Sequence, residues 1–150
     1  MRAYSRGFFS PHYIVEDAGE SVELRASGWL RVRAAFDLDG AAYELRREGF
    51  LGSFVLERDG DVVARADKRA FQSAFDVEIG HYGCSLAKTS FFGNQFGLFE
   101  GDEQVGSIRK GMFTSEVAAD LDFIRALPAK VFVVWLALLL WKRQDASAGE

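Results

Sequence analysis

Ser85-Leu-Ala-Lys88 has the spacing of the serine–lysine acyl enzymes, in which a lysine one helical turn beyond the serine can activate it. That chemistry needs a helix. Here the four residues fall in an alternating segment expected to form a strand over 83–90, where positions three apart face opposite sides and the two groups cannot meet. His81 and Cys84 hold the elements of a thiol nucleophile and its base, but they straddle Gly83 at an expected junction of loop and strand. A surface histidine beside a small buried thiol is the reading this placement favours. Asp37-Leu-Asp-Gly40 and Asp59-Gly-Asp61 have the acidic look of calcium loops. With Gly40 at the sixth loop position, however, Ala35 and Arg46 stand where the first and twelfth ligands belong. One cysteine and two histidines supply neither an internal disulfide nor a tetrahedral zinc set. No glycine-rich phosphate loop, nucleophile elbow or H-E-x-x-H run occurs. The expectation is a chain with no catalytic residue, no metal and no cofactor.

Basic residues are the remaining binding lead. Arg31 and Arg33 share one expected strand face, Arg46 and Arg47 are adjacent, and Lys68-Arg69 and Arg109-Lys110 occupy corresponding places in a repeat described below. The candidate ligand-binding set is therefore Lys68, Arg69, Arg109 and Lys110, set against the ordinary solvated charge of a sheet exterior. A net charge of −4 argues against non-specific nucleic-acid binding, which draws on a basic surplus. The first ten residues contain no apolar core of secretory type, and the lone cysteine suits a reducing compartment, so a cytoplasmic address is expected.

The elements that would position these groups can be read from periodicity. At 150 residues, half of them apolar and a quarter charged, the chain is expected to form a single domain with one core. Fourteen Phe and fifteen Gly against two Pro favour strands and turns. Alternation at Val22, Leu24 and Ala26, at Phe54 and Leu56, and at Phe75, Val77 and Ile79 marks half-buried strands. Asp39-Gly40 and Asp59-Gly60 mark tight hairpins, and Glu100-Gly-Asp-Glu103 a slightly longer one. Twelve strands are expected, near 4–9, 12–16, 21–27, 29–36, 42–48, 51–58, 61–67, 73–79, 83–90, 95–100, 104–110 and 113–119. Phe54, Leu56, Val63, Lys68, Phe71 and Ser73 recur 42 residues later as Phe96, Leu98, Val105, Lys110, Phe113 and Ser115, the mark of a repeated hairpin with its following strand.

The last segment differs in kind. Eleven unbroken apolar residues run from Val131 to Trp141, with Pro128 suited to a first helical turn and Lys142-Arg143 to the negative end of a helix dipole. A core helix over about 127–142 is expected, followed by a disordered tail over 144–150. At about 1.5 Å per residue the run reaches only roughly 16 Å, against about 30 Å for a bilayer core. Apolar on every face, the helix must be surrounded. A one-sided apolar sheet needs a cover, so wrapping the sheet round the helix satisfies both. Eight strands leave room only for side chains and sixteen leave a channel, so about twelve fit one helix roughly 10 Å wide. The expected fold is all-β with one helix: a closed antiparallel barrel of about twelve strands enclosing the hydrophobic C-terminal helix.

Many short strands followed by a final F-V-V-W-L-A-L-L-L-W-K-R helix, with Gly52-Ser-Phe-Val-Leu-Glu-Arg-Asp-Gly-Asp-Val-Val-Ala, Phe96-Gly-Leu-Phe and Val105-Gly-Ser-Ile-Arg-Lys110 as paired hairpins, resemble the tubby C-terminal-like superfamily. That superfamily includes LURP-one-related proteins and phospholipid scramblases. The resemblance implies a twelve-stranded barrel around a hydrophobic helix and a non-catalytic role in binding phospholipid or phosphoinositide head groups, peripheral to a membrane. A protein partner, or a C-terminal tail anchor in lipid, are the alternatives.

Overall fold

The computed structural model describes residues 1–5, 12–27, 33–49, 52–89, 94–111 and 116–148. Twelve strands and one helix form among them: β1 (Arg2–Ser5), β2 (His12–Asp17), β3 (Glu20–Ser27), β4 (Arg33–Leu38), β5 (Ala41–Glu48), β6 (Ser53–Arg58), β7 (Asp61–Lys68), β8 (Ala74–Ile79), β9 (Tyr82–Lys88), β10 (Gln95–Glu100), β11 (Glu103–Lys110), β12 (Val117–Asp120) and α1 (Leu127–Ala148). Each strand pairs antiparallel with its neighbours in sequence, and β1 pairs with β12 to close the barrel. Nine strands begin and end within two residues of expectation. The other three, expected near 4–9, 29–36 and 113–119, run over 2–5, 33–38 and 117–120, and residues 6–9, 29–32 and 113–115 lie outside the described residues.

Up-and-down order gives the barrel two unlike ends. At one, five hairpins turn in two residues each. Ala18-Gly19, Asp39-Gly40 and Asp59-Gly60 hold both central residues at positive φ (49° and 84°, 50° and 79°, 48° and 94°), the twist that matches two right-twisted strands. The turn at Gly101-Asp102 is also two residues long, shorter than expected, with Gly101 taking φ 62°. At the opposite end the strands are joined by the longer connections 6–11, 28–32, 49–52, 69–73, 89–94 and 111–116. We call these the turn end and the connection end.

The repeat has a structural counterpart. In β6–β7, Phe54 lies opposite Ala66; in β10–β11, Phe96 lies opposite Ile108, and each hairpin shifts register after the equivalent residue, Leu56 and Leu98. A bulge at that point bends and twists the strand, which a closing sheet needs. The Lys68 N–H donates to the Gly52 carbonyl at 3.0 Å, and the Lys110 N–H donates to the Asn94 carbonyl at 2.9 Å. Of the remaining repeat members, Phe71 and Ser73 are described, whereas Phe113 and Ser115 lie outside the described residues.

Helix α1 fills the barrel. Val131, Phe132, Val133, Val134, Leu136 and Ala137 are fully buried, and Trp135 meets Phe54 edge-on at 5.5 Å while Trp141 meets Phe96 at 5.0 Å. Those phenylalanines point inward from β6 and β10, so the helix is held by rings from both copies of the repeat. The helix is longer than expected. Its backbone stays helical to Ala148, past the expected end near 142. Gln144-Asp-Ala-Ser-Ala contains good helix formers and no breaker, and the first glycine after Arg143 is Gly149.

Candidate functional site

At the turn end the barrel mouth is covered, with an open surface hollow of about 520 Å³ at its edge beside Met1, Asp17 and Glu20. After β12 the chain crosses the barrel mouth, burying Leu121, Ile124 and Leu127 before entering α1. Phe123 packs on Tyr82 at 5.8 Å and presses on Gly106, where an added Cβ would come within 2.8 Å of its ring and 2.7 Å of the Asp120 carbonyl. Tyr82 donates its hydroxyl to Glu100 at 3.1 Å, and burial with that carboxylate pushes its pKa up to about 12. Lys130, the buried charged side chain among the described residues, donates to Asp17 Oδ2 at 2.7 Å. A cation in the first turns of a helix opposes the dipole, and Asp17 neutralises it.

The connection end carries the opposite charge and is less completely filled. Antiparallel partners share a sheet face, so the pairings Arg47 with Phe54, Lys68 with Phe75, Lys88 with Phe96 and Lys110 with Val117 place four cations on the core-facing register at this rim. All four aligned core residues are essentially buried, and they recur every 21 residues, half the interval seen in the sequence. The last turn of a strand that leaves the barrel reaches water, so a residue in core register there can hold a charge while its stem covers the core. Lys142, exposed on α1, stands at the same mouth. Acidic side chains collect at the other end, at Asp39, Asp59, Asp61, Asp102, Glu103 and Asp122.

The four residues singled out from sequence are therefore split. Lys68 is half-buried, with Nζ 3.3 Å from the Arg69 carbonyl. Arg69 is exposed on the outer surface and donates twice to Asp76 Oδ1, at 3.0 and 2.7 Å, which holds its pKa above the ordinary guanidinium value. Arg109 is exposed on the outer face of β11, while Lys110 is half-buried at its end. Strands β8, β9 and β10 separate β7 from β11, so the two pairs lie on one rim about a third of the circumference apart. Arg46 bonds Glu57 on the exterior, and Arg33 lies 3.8 Å from Glu44. Arg31 lies outside the described residues. The four-residue set drawn from sequence left out Arg47, which was named among the basic leads, and also Lys88 and Lys142, although the 21-residue spacing of Arg47, Lys68, Lys88 and Lys110, within one residue, was available to find the first two.

Beside α1 at this end opens a cleft of about 390 Å³ lined by Tyr13, Leu24, Ala26, Val117, Trp135, Leu138, Leu139 and Trp141, with Lys110 and Lys142 among its walls. The half-buried Leu138 and Leu139 interrupt an otherwise buried helix segment. Burial also raises the Tyr13 phenol.

The nucleophile patterns do not assemble. Ser85 and Lys88 lie on β9 with opposite facing, and Cys84 is a buried core-facing thiol whose pKa burial, and secondarily Glu100, push up to about 11, away from a reactive thiolate. Among the described residues no three His, Cys, Asp or Glu side chains gather as a metal set. Asp39 and Asp59 serve as turn residues, and Asp59 accepts from the Ala42 N–H at 3.0 Å.

Fold and site together define a helix-filled β-barrel with an acidic turn end and a cationic connection end. Comparison with family models, with curated proteins and with solved structures returned no match.

Proposed function

We propose that this protein is a non-catalytic module that docks on anionic lipid head groups through the connection end of its barrel. The observation that carries this reading is the collar of Arg47, Lys68, Lys88 and Lys110 at one rim, joined by Lys142 at the helix exit. Each basic residue near an anionic leaflet contributes about 1 kcal/mol, so such a collar offers on the order of 5 kcal/mol, weakened by salt. Phe71, fully exposed in the 69–73 connection at the same end, suits insertion at the level of the head groups. The net charge of −4 conceals this surface because most of the acidic residues lie toward the far end, with Glu48, Asp67, Asp76 and Glu116 at the near one.

Resemblance to the tubby C-terminal-like superfamily, LURP-one-related and scramblase-like barrels included, supports the same reading, since it implies phospholipid or phosphoinositide head groups. Lys68 and Lys110 keep their place in this proposal; Arg69 and Arg109, on the outer surface, act as flanking charge. The module would sit peripherally on a cytoplasmic membrane face. Among the described residues no helix is long and apolar enough to cross a membrane, and the segment that suggested a tail anchor lies inside the strands. Flotation with vesicles of phosphatidylcholine alone and with one-fifth phosphatidylserine or phosphoinositide tests the proposal. Salt-sensitive recovery with the anionic vesicles alone is expected; equal recovery with neutral vesicles, or none with either, rejects it.

A further inference from the structure

We infer that the cleft beside α1 is a binding site for one acyl chain bearing an anionic head. Its floor is apolar, formed by Leu24 of β3, Val117 of β12 and by Trp135, Leu138 and Leu139 of the helix, whereas Lys110 and Lys142 supply two cations. Trp135, Leu138, Leu139 and Lys142 succeed one another along one helical face, so the cleft descends roughly 10 Å from the lysine at the rim to the tryptophan in mid-barrel. A floor of hydrocarbon under a cationic mouth complements an amphiphile with an anionic head. About 390 Å³ lies at the small end of ligand cavities, which suits one chain rather than two.

The wall above the cleft is also the weakest part of the barrel. Strands β1 and β12 have four residues each and pair through Arg2 with Ala118 and Ala3 with Val117, with one further bond from the Ala119 N–H to the Met1 carbonyl at 2.9 Å. Leu138 and Leu139 are half-buried beneath this arc, while the helix residues from Ala129 to Ala137 are buried. A chain laid in the cleft completes the cover that the apolar helix requires.

This inference deepens the lipid reading of the same end, and its test runs in solution without vesicles. The full chain is titrated with sodium dodecanoate, with lysophosphatidic acid of the same chain length and with dodecyltrimethylammonium, all below micelle formation. Calorimetry and tryptophan fluorescence, to which Trp135 and Trp141 at the cleft contribute, are followed. Saturable one-to-one binding of at least one anionic amphiphile, about tenfold or more tighter than the ammonium, is expected. Dodecanoate alone binding assigns a free fatty acid; lysophosphatidic acid alone binding assigns a lipid head group. Lys110→Gln with Lys142→Gln should weaken binding about tenfold, and Leu139→Trp should abolish it by filling the cleft. A thermal melt establishes that each variant folds. Should Leu139→Trp not fold, the charge selectivity of the unmodified protein decides. No saturation by either anionic amphiphile, equal binding of the ammonium, or full binding by a folded Leu139→Trp overturns the inference. Vesicle recovery without amphiphile binding overturns the cleft alone, and binding without recovery overturns the surface reading alone.

Discussion

The two ends of this barrel use the same strands for different purposes. At the turn end the backbone reverses in two residues, the 121–127 segment lies across the mouth, and the buried Lys130 is neutralised by Asp17. At the connection end the loops are longer, cations occupy core register at the rim, and the helix leaves two leucines half-covered beside a cleft. Closure at one end secures the helix; incompleteness at the other leaves apolar and cationic groups facing outward together. In a chain whose strands alternate direction, the C-terminal ends of every second strand fall at the same end. A 21-residue hairpin period therefore stacks like charges on one rim without any of them being close in sequence.

The comparison breaks most severely if the helix is removed. Truncation after Arg125 deletes the filling on which Phe54 and Phe96 pack, and the shortened chain should lose its cooperative thermal transition and aggregate. A soluble monomer with an unchanged melting temperature would show that the helix is dispensable. Next comes the covered end. Asp17→Asn leaves the Lys130 ammonium buried with its charge unneutralised and should cost about 3–5 kcal/mol by denaturant titration, whereas Lys130→Met should be neutral or stabilising. Equal losses for both variants would mean that packing of the lysine stem, not charge, governs that end.

Most of the fold was legible because its signals are local. Asp39-Gly40 and Asp59-Gly60 announce positive φ, alternation separates the faces of each strand, and the run from Val131 to Trp141 has no polar side to offer water. The helix end was not legible, because Lys142-Arg143 suits a helix terminus yet does not compel one, and nothing before Gly149 breaks the backbone. The site was half legible. Lys68 and Lys110 stood out through the repeat, but the angle between β7 and β11 depends on where the barrel closes, a relation between residues at opposite ends of the chain. Arg69 was indistinguishable from its neighbour in sequence; its bonds to Asp76 across the outer surface come only from strand register.

Two smaller effects sharpen the contrast. Replacing Lys68 and Lys110 with Glu should leave thermal stability nearly unchanged and lower affinity for anionic vesicles by roughly 2 kcal/mol or more, since two attractions of about 1 kcal/mol each become repulsions. The matched change of Asp39 and Asp59 to Asn, at the other end, should leave vesicle affinity within about twofold, although Asp59 also accepts from the Ala42 N–H of β5. A loss as large from the acidic end would show that net charge matters and orientation does not.

The smallest effect concerns Cys84, on the core face between the two ends. Burial favours its neutral thiol, so its pKa in the fold, pushed up to about 11, lies above that of the unfolded chain. The sign follows: the thiol contributes to stability at pH values below its unfolded pKa, and the contribution fades as pH rises toward 11. Cys84→Ala should therefore flatten part of the alkaline fall in stability between about pH 9 and 11, measured by denaturant titration at stepped pH, while neutral alkylating reagents at pH 8 should modify the folded chain far more slowly than the unfolded one. Alkylation of the folded protein at the unfolded rate would mean that the wall near β9 opens as readily as the cleft under β1 and β12, and the barrel would then have no closed side to set against its open one.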